Sequence, residues 1–232
     1  KEFKKSVDKL MDKGVGKDEA IFQLLKKYIQ KSEKIRFEGD GYSDAWKEEA
    51  ARRGLTNIVS VPQSLEQYLT DHSKKILLGS KIFDEKELEG RVEVEFEKFT
   101  KKIQIEARVL GDLAINHIVP TAIAYQNTLL ANVHGMQEIF AEGEFKTLAG
   151  ARIELIKEIS ERVSIIKQKV NEMIDQRKIA NKIDSERDKA YQYDRKVRPL
   201  FDEIRYHIDK LERIVDDEIW PLPKYREILF SS

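Results

Sequence analysis

VLGDLAINHIVPTAIAY, residues Val109 to Tyr125, followed by QNTLL up to Leu130, is the longest apolar run in this chain. A run of this kind predicts a helix that is apolar on nearly every side, and such a helix is normally buried on nearly every side. We therefore expect other helices to surround it. Asp112, Asn116 and His117 lie inside the run, where an unpaired polar group is costly.

The same polar residues, together with Pro120, argue against a membrane span. A span needs about 20 consecutive, predominantly apolar residues, and the run is interrupted before it reaches that length. Forty-two basic and forty-two acidic residues give a formal net charge of +0, which removes the electrostatic argument for nucleic acid or an anionic membrane as the partner. The sequence thus predicts neither a nucleic-acid partner nor a membrane partner.

The composition favours a helical protein in a reducing compartment. Charged residues make up 36% of the chain and aromatic residues 9%, with only five prolines and eleven glycines, which is typical of long solvated helices. The absence of cysteine excludes disulfides and thiolate sites and fits the cytoplasm. No signal peptide is visible. Because the chain opens at Lys1, without methionine and already in a helical pattern, we expect a piece of a longer protein.

Hydrophobic periodicity divides the chain into three segments, of which the first is 1–83 and the last, 219–232, is a tail. Short helices and linkers are predicted in the first segment. Ser43 is expected to cap a helix that Gly54 ends, and Ser64 is expected to cap another. This segment would pack beside a larger domain or complete it.

The middle segment, 84–218, begins with the longest helical pattern. Asp84 is expected to cap it, with Glu87 completing a capping box. The pattern continues to about Ile139. Pro120 should kink this helix, because proline cannot donate to the carbonyl four residues back and its ring clashes there.

Two further amphipathic patterns follow, at about 146–180 and 185–218, with Pro199 interrupting the second. Long helices joined by short breaks favour antiparallel neighbours, with the most apolar helix in the middle. The predicted fold is therefore all-α: a long antiparallel helical bundle with a kinked central helix, preceded by several shorter helices.

Two stretches invite a functional interpretation. The GDG at Gly39 to Gly41 lacks the preceding strand and the lysine of a phosphate-binding loop, so we interpret it as a turn. Arg108, Asp112 and Asn116 are spaced by four residues, which predicts a buried polar ladder; the functional alternative is a ligand site in the bundle core. If the ladder is correct, replacing Asp112 by alanine lowers stability by about 1 to 3 kcal/mol.

Metal ligands are sparse in the sequence. Glu203 and His207 lie one helical turn apart, but a zinc site needs three or four ligands. The other histidines, His72, His117 and His134, share no recognisable spacing, and no paired Glu-x-x-His motif is present. Motifs of nucleotide-binding loops and serine hydrolases are also missing. We therefore assign no catalytic, cofactor-binding or metal-binding residue to this chain.

Three strings carry a resemblance to a known family: GDGYSDAWKEEAARRGL at 39–55, IQIEARVLGDLAINHIVPTAIAYQN at 103–127 and WPLPKYREILF at 220–230. Together they resemble the carboxyl-terminal part of type III glutamine synthetases. More weakly, VPQSLEQYL and KIFDEKELEGRVEVEFEKF are similar to segments of glutamine synthetases generally, although Val61 and Tyr68 depart from the usual residues. This similarity places the catalytic core before Lys1.

The resemblance implies that the intact protein joins ammonia to glutamate, using ATP and magnesium or manganese. The family's catalytic motifs are not in this sequence, so we expect the piece alone to be inactive. The family forms homo-oligomeric rings, and the extra helices would then serve subunit packing, ring assembly or regulation. If the resemblance misleads, the alternative is a free-standing helical adaptor that binds a protein partner. In the isolated piece Ile21, Phe22 and Leu25 are expected to be exposed, with a risk of non-native dimers.

Overall fold

The structure, a computed structural model, describes residues 2–230, with the side chains of residues 225 and 226 excepted. Lys1, Ser231 and Ser232, which belong to the first and last predicted segments, lie outside the described residues. The described chain is helical and contains no strand, so the all-α prediction is confirmed. It forms two compact units, 1–59 and 60–232. The sequence placed its first boundary later, at 83/84.

The first unit is built on a helical hairpin and one further helix. Gly14 has φ +87°, a conformation that glycine adopts readily, and it lies in the turn of the hairpin. The buried cluster of this unit is small and consists of Val7, Ala20 and Leu24, and Ala50 is buried apart from it. Its helices are α1 (Glu2–Met11), α2 (Lys17–Lys31) and α3 (Asp44–Arg52), with a short 3-10 turn at Glu33–Ile35.

The ends of α3 are as predicted. The Ser43 hydroxyl accepts a hydrogen bond from the Trp46 backbone N–H at 3.2 Å, which is the contact expected of an N-cap serine. Gly54 follows the helix with φ +71°, the left-handed conformation that commonly ends helices. Local sequence signals therefore determine both ends of this helix.

The second unit contains the long helices. Its described helices are α4 (Val61–Glu66), α5 (Asp71–Leu77), α6 (Glu85–Asp112), α7 (Val119–Ile139), α8 (Glu142–Ala180), α9 (Glu186–Gln192), α10 (Pro199–Glu212) and α11 (Tyr225–Leu229). A 3-10 turn at Gln67–Leu69 follows α4. The last long helix ends at Glu212, six residues before its predicted end.

The predicted N-cap of α4 is wrong. Ser64 lies inside the helix and donates its hydroxyl to the Val61 carbonyl at 2.9 Å. The cap is Ser60, whose hydroxyl accepts from the Gln63 backbone N–H. Pro62 misled the prediction, because it was treated as preceding the helix. Proline is in fact tolerated in the first helical turn, where its missing N–H would have no partner.

Of the capping box predicted at the start of α6, the aspartate contact is present and the glutamate contact is not. Asp84 accepts a hydrogen bond from the Glu87 backbone N–H at 2.8 Å, which confirms the aspartate as N-cap. The Glu87 carboxylate is instead engaged by Arg91, one turn further along the helix. The reciprocal half of a capping box is replaced by an ordinary i, i+4 ion pair on an exposed face.

Both prolines that interrupt the long helices are preceded by π-helical turns. Leu113–Ile118 joins α6 to α7 just before Pro120, and Tyr193–Val197 joins α9 to α10 just before Pro199. In the second turn the Arg198 N–H donates to the Tyr193 carbonyl, five residues back, at 2.9 Å. A helix adapts to a proline by widening its turns in this way. The predicted interruptions are therefore present without a break in the helical path.

Contacts between side chains establish that α8 runs antiparallel to its neighbours. Gln126 on α7 donates to the Ile156 carbonyl near the start of α8, whereas Gln104 on α6 donates to Asn181, just after its end. The chain from α9 to α10 is also antiparallel to α8. Gln192 contacts Gln176, whereas His207, later in the chain, contacts Arg162, earlier in α8. The predicted antiparallel bundle is thus observed.

The core of the bundle is dominated by aliphatic side chains, with alanine where helices approach closely. Tyr193 is fully buried in it and donates its hydroxyl to Asn181 at 2.7 Å, so its polar atom is satisfied. From α6 and α7 the core receives Ile103, Ala107, Ala114, Ile118 and Ala122. These five residues define the inner side of the helix from which the prediction began.

The other side of that helix is exposed, which corrects the expectation of burial all round. Val109 is 52% exposed, Ile123 is 42% exposed and Leu130 is 46% exposed. The prediction was wrong because it counted the apolar residues of the run and did not consider which side of the helix each one occupies. Since the small residues alanine and glycine are common in the run, the part that must be buried is a narrow stripe. This helix contacts α8 and also the segment from α9 to α10, but only with its inner side.

Candidate functional site

Asp112 and Asn116, the strongest candidates from the sequence, lie on the exposed side of the central helix. The Asn116 amide donates to the Asp112 carboxylate at 2.5 Å. Arg108 is also exposed, and in the described part of the chain no hydrogen bond or ion pair joins it to Asp112. The predicted buried ladder is therefore wrong, and so is the alternative of a ligand site in the bundle core.

His117 is exposed as well. Its backbone carbonyl accepts from the Thr121 hydroxyl at 2.9 Å, a common contact between a threonine and the carbonyl four residues earlier in a helix.

The GDG stretch forms the turn that was predicted. The Asp40 carboxylate accepts from the Tyr42 N–H at 2.9 Å, and the Ser43 hydroxyl donates to the Asp40 carbonyl at 2.7 Å. A β-carbon on Gly39 would lie 2.6 Å from the Phe37 ring, so a larger residue here would displace that ring. The loop is held by its own contacts and leads directly into α3.

Arg53 closes this loop, and the sequence did not reveal it. Its guanidinium donates to the Arg36 carbonyl at 2.5 Å and to the Glu49 carboxylate at 2.5 Å. It also lies 6.0 Å from the centre of the Phe37 ring and 5.9 Å from that of Trp46. Hydrogen bonding from Arg53 holds the pKa of Glu49 below its usual value. An open groove of about 500 Å³ lies beside these groups.

The arrangement around Arg53 is structural. A guanidinium has five N–H donors in a fixed plane, and here they serve backbone carbonyls at the end of a 3-10 turn and a carboxylate. The Nε and Nη1 groups of Arg53 make these bonds and hold the loop in place. In the sequence, Arg52 and Arg53 are two basic residues among acidic ones, and nothing singles out Arg53. The carbonyls that it contacts are 17 to 20 residues away, so no local pattern predicts these bonds.

Glu203 and His207, the candidate metal ligands, instead tie α10 to α8. Glu203 forms an ion pair with Lys169 at 2.7 Å. His207 has its Nδ1 atom 3.4 Å from a guanidinium nitrogen of Arg162. Burial, followed by the positive charge of Arg162, lowers the pKa of His207. A neighbouring cation disfavours a metal ion at the same place.

The other described histidines and carboxylates do not form a metal site either. Among residues 2–230, no three His, Asp or Glu side chains converge in a way that could hold a metal ion. His134 pairs with Glu138 on an exposed turn, and His72 is exposed. Within the same range, no helix is long and apolar enough to cross a bilayer.

A polar cluster joins α4 to α9. Arg187 donates to the Glu66 carboxylate, and its guanidinium lies 5.9 Å from the centre of the Tyr191 ring, with that of Arg195 at 4.5 Å. Burial and a hydrogen bond to Glu66 raise the pKa of Tyr191. Nearby, Ser60 donates to Asp194 at 2.8 Å. These contacts attach α4 to the bundle. The four-residue spacing of 187, 191 and 195 is a local sequence signal for the two contacts of arginine with the Tyr191 ring.

Comparison with known proteins adds what the geometry cannot. A family model described as the glutamine synthetase C-terminal domain matches residues 20–137. A glutamine synthetase of Bacteroides fragilis (strain YCH46) is 60% identical over 231 residues, which is 100% of this chain and 32% of the relative. A type-3 glutamine synthetase of Dictyostelium discoideum is 34% identical over 91% of this chain and 29% of its own length.

A glutamine synthetase of Butyrivibrio fibrisolvens is 24% identical over 92% of this chain and 30% of the relative. The chain therefore spans about a third of the length of the curated relatives it matches. The match extends over nearly all of this chain in each case, so both compact units belong to the shared region.

Proposed function

This chain belongs to the family of glutamine synthetase C-terminal domains, and from that premise we propose that it is a non-catalytic helical region serving subunit packing in an ATP-dependent glutamate–ammonia ligase. It is the C-terminal region of a glutamine synthetase. The observation that carries the proposal is the match of all of this chain to only 32% of a 60% identical relative.

The proposed reaction of the whole enzyme, glutamine synthesis from glutamate and ammonia, needs ATP and magnesium or manganese. Magnesium binds through carboxylates and phosphate oxygens in octahedral geometry. The described carboxylates do not fit that need, because no three of them converge and several are engaged by lysine or arginine. We therefore propose that nucleotide, metal and chemistry belong to the other two thirds of the enzyme. We also propose a cytoplasmic location, which the lack of cysteine in this chain fits.

A packing role is supported by how the helices are joined. Lys169 with Glu203, and Arg162 with His207, connect α8 to α10 through groups that a binding pocket would need free. Polar side chains that satisfy one another between helices give a fixed framework. A framework of this kind suits a role in holding subunits.

The first unit supports packing against other parts of the enzyme. Phe22 is 64% exposed, Leu25 is 47% exposed and Ile29 is 53% exposed, on one side of α2. The helix thus has more apolar surface than α1 covers, and an exposed apolar face is typical of an interaction surface. The sequence predicted exposure at Phe22 and Leu25, which is confirmed, whereas Ile21 is partly buried.

The experiment is removal of the bundle from the full-length enzyme. Because α4 and α5 belong to the second compact unit, the deletion should begin at Ser60 rather than at Asp84. Light scattering would give the particle mass, and glutamine formation the specific activity. We expect a smaller particle and, from the isolated chain, no ligase activity.

Two other results would change the proposal. A particle of normal size with altered activity would favour regulation over assembly. An active particle of normal size would overturn both. The free-standing adaptor has no observation in its favour beyond exposed apolar faces, and the packing role accounts for those.

A further inference from the structure

A groove of about 640 Å³ lies beside α9, next to the polar cluster that joins α4 to the bundle. Pockets that hold small molecules measure about 300 to 1,000 Å³, so the groove has the size of a ligand site. Its lining includes three cations, Arg187, Arg195 and Lys196, and two acids, Glu66 and Asp188. These charges leave the groove with an excess of positive charge.

The attachment of α4 accounts for one of the three cations. Arg187 donates to the Glu66 carboxylate across the two helices. Arg195 lies over the ring of Tyr191, four residues earlier in its own helical segment. In the described part of the chain, neither Arg195 nor Lys196 forms an ion pair, and both are exposed. Two cations at the groove are therefore not needed to hold the helices together.

The π-helical turn at Tyr193–Val197 places these two cations on the same side of the helix. Hydrogen bonds in such a turn span five residues instead of four, and the Arg198 N–H accordingly donates to the Tyr193 carbonyl. The wider turn lets Lys196, five residues after Tyr191, line the groove together with Arg195. Single π-helical turns are frequent at functional sites.

We propose that this groove binds a small molecule through a phosphate or diphosphate group. Arginine presents a planar fork of N–H donors to phosphate oxygens, and lysine adds a compact positive charge. Because the Arg195 guanidinium already lies 4.5 Å from the centre of the Tyr191 ring, it loses less side-chain freedom when an anion binds.

The α4 side of the groove adds a neutral donor. Gln63 lines it, and in the described chain its side-chain amide makes no hydrogen bond. An amide N–H can donate to a phosphate oxygen without adding charge. The groove is thus lined from both helices, and its role as a ligand site goes beyond the packing function proposed above.

The test is calorimetric titration of the 232-residue chain with pyrophosphate at low ionic strength. We expect saturable binding that Arg195→Gln weakens about tenfold, because a charge-assisted hydrogen bond is lost. Arg91→Gln is the matched control: Arg91 is another exposed arginine, 5.0 Å from the centre of the Phe83 ring on the same bundle. This change should leave the affinity unaltered.

Two further variants keep the proposal falsifiable. Lys196→Gln replaces Arg195→Gln if that variant fails to fold, as shown by circular dichroism, and it should also weaken binding. Asp188→Asn should instead strengthen binding, because it removes a carboxylate from the lining. Weaker pyrophosphate binding in a folded Asp188→Asn variant would contradict an anion site.

The outcomes that overturn the proposal are distinct. They are the absence of saturable binding, or an equal loss of affinity in Arg195→Gln and Arg91→Gln, which indicates a general effect of charge. Titration with citrate separates the two common kinds of anion. Citrate binding that depends on Arg195, without pyrophosphate binding, would assign a carboxylate ligand and overturn the phosphate. None of these results affects the particle mass after deletion from Ser60, so the packing role is tested independently.

Discussion

The two compact units differ in how far each can stabilise itself. The second unit buries a cluster of eighteen core residues, drawn from all its long helices. The first buries a cluster of three, Val7, Ala20 and Leu24, and leaves Phe22 and Ile29 more than half exposed. Domains of about 60 residues bury a smaller fraction of their surface than larger ones and are marginal alone.

The difference teaches that the two units need different surroundings. The bundle is closed around its core, so its exposed apolar residues, such as Val109, Ile123 and Leu130, are not needed for folding. In the first unit the exposed apolar side of α2 adjoins the buried side, and whatever covers it completes the core. Folding and partner contact are therefore separable in the bundle and coupled in the first unit.

The largest effect is expected from separating the units. Residues 60–232 alone should melt cooperatively, whereas residues 1–59 alone should show no cooperative transition, because so few buried residues cannot offset the chain entropy. Circular dichroism during heating would measure both. Cooperative melting of 1–59 would remove the contrast. Trp46 and Trp220 lie one in each unit, so fluorescence of single-tryptophan variants follows them separately in the intact chain.

The second-largest effect is expected from a substitution in the bundle core. Ile166→Ala removes a fully buried side chain and should lower the unfolding free energy by about 2 to 5 kcal/mol. Ile179→Ala, at a 51% exposed position of the same helix, should change it by about 0.5 kcal/mol or less. Urea denaturation of both variants tests the pair. Equal losses would mean that the exposed side of α8 is covered.

A smaller effect concerns pH, at the junction of α8 and α10. Since the pKa of His207 is lowered below 6.5 in the folded state, the unfolded chain takes up the proton first as pH falls. Stability from the neutral ring is thus present above about pH 6.5 and is lost below it, down to the folded pKa. The carboxylate of Glu203 opposes the shift, and Arg162 strengthens it.

Denaturation between pH 7 and pH 5 measures this window. We expect His207→Gln to lose less stability than the parent over that range, because glutamine does not titrate. Identical slopes for parent and variant would show that His207 has its ordinary pKa in the folded protein. The other three histidines are the same in both chains and cancel in the comparison.

The smallest effect is expected at Asp112. Its hydrogen bond to Asn116 is on an exposed helix side, so Asp112→Ala should change stability by about 0.5 kcal/mol or less. This small expected change in stability replaces the loss of about 1 to 3 kcal/mol that was predicted for a buried Asp112. Chemical denaturation of the isolated chain decides between them. A loss above about 1 kcal/mol would show that this side is covered.

Sequence patterns predicted the fold where local signals suffice. Ser43, Gly54 and Asp84 each end or begin a helix through contacts within a few residues, and the long helix does end at Ile139. Helical periodicity and capping act at that range. The number and antiparallel order of the long helices followed from them.

Sequence patterns failed where the answer depends on direction or on distant partners. Asp112 and Asn116 were predicted to be buried because the residues around them are apolar. In the structure, alanines of the same helix, such as Ala114 and Ala122, are buried instead. Arg53 and the Arg187–Glu66 pair depend on groups 17 to 20 and 121 residues away. No local pattern encodes such contacts. The candidate site was therefore misplaced although its helix was correct.

The π-helical turn at Leu113–Ile118 also sets the phase of everything that follows it. Ala114, Ile118 and Ala122 are all buried although they succeed one another by four positions, and in a regular helix each such step turns the side chain by roughly 40°. Losing one residue from this turn would rotate α7 by about 100°. Ala122 would turn outward and Ile123 inward, so a single codon in this segment decides which side of α7 is buried in the bundle.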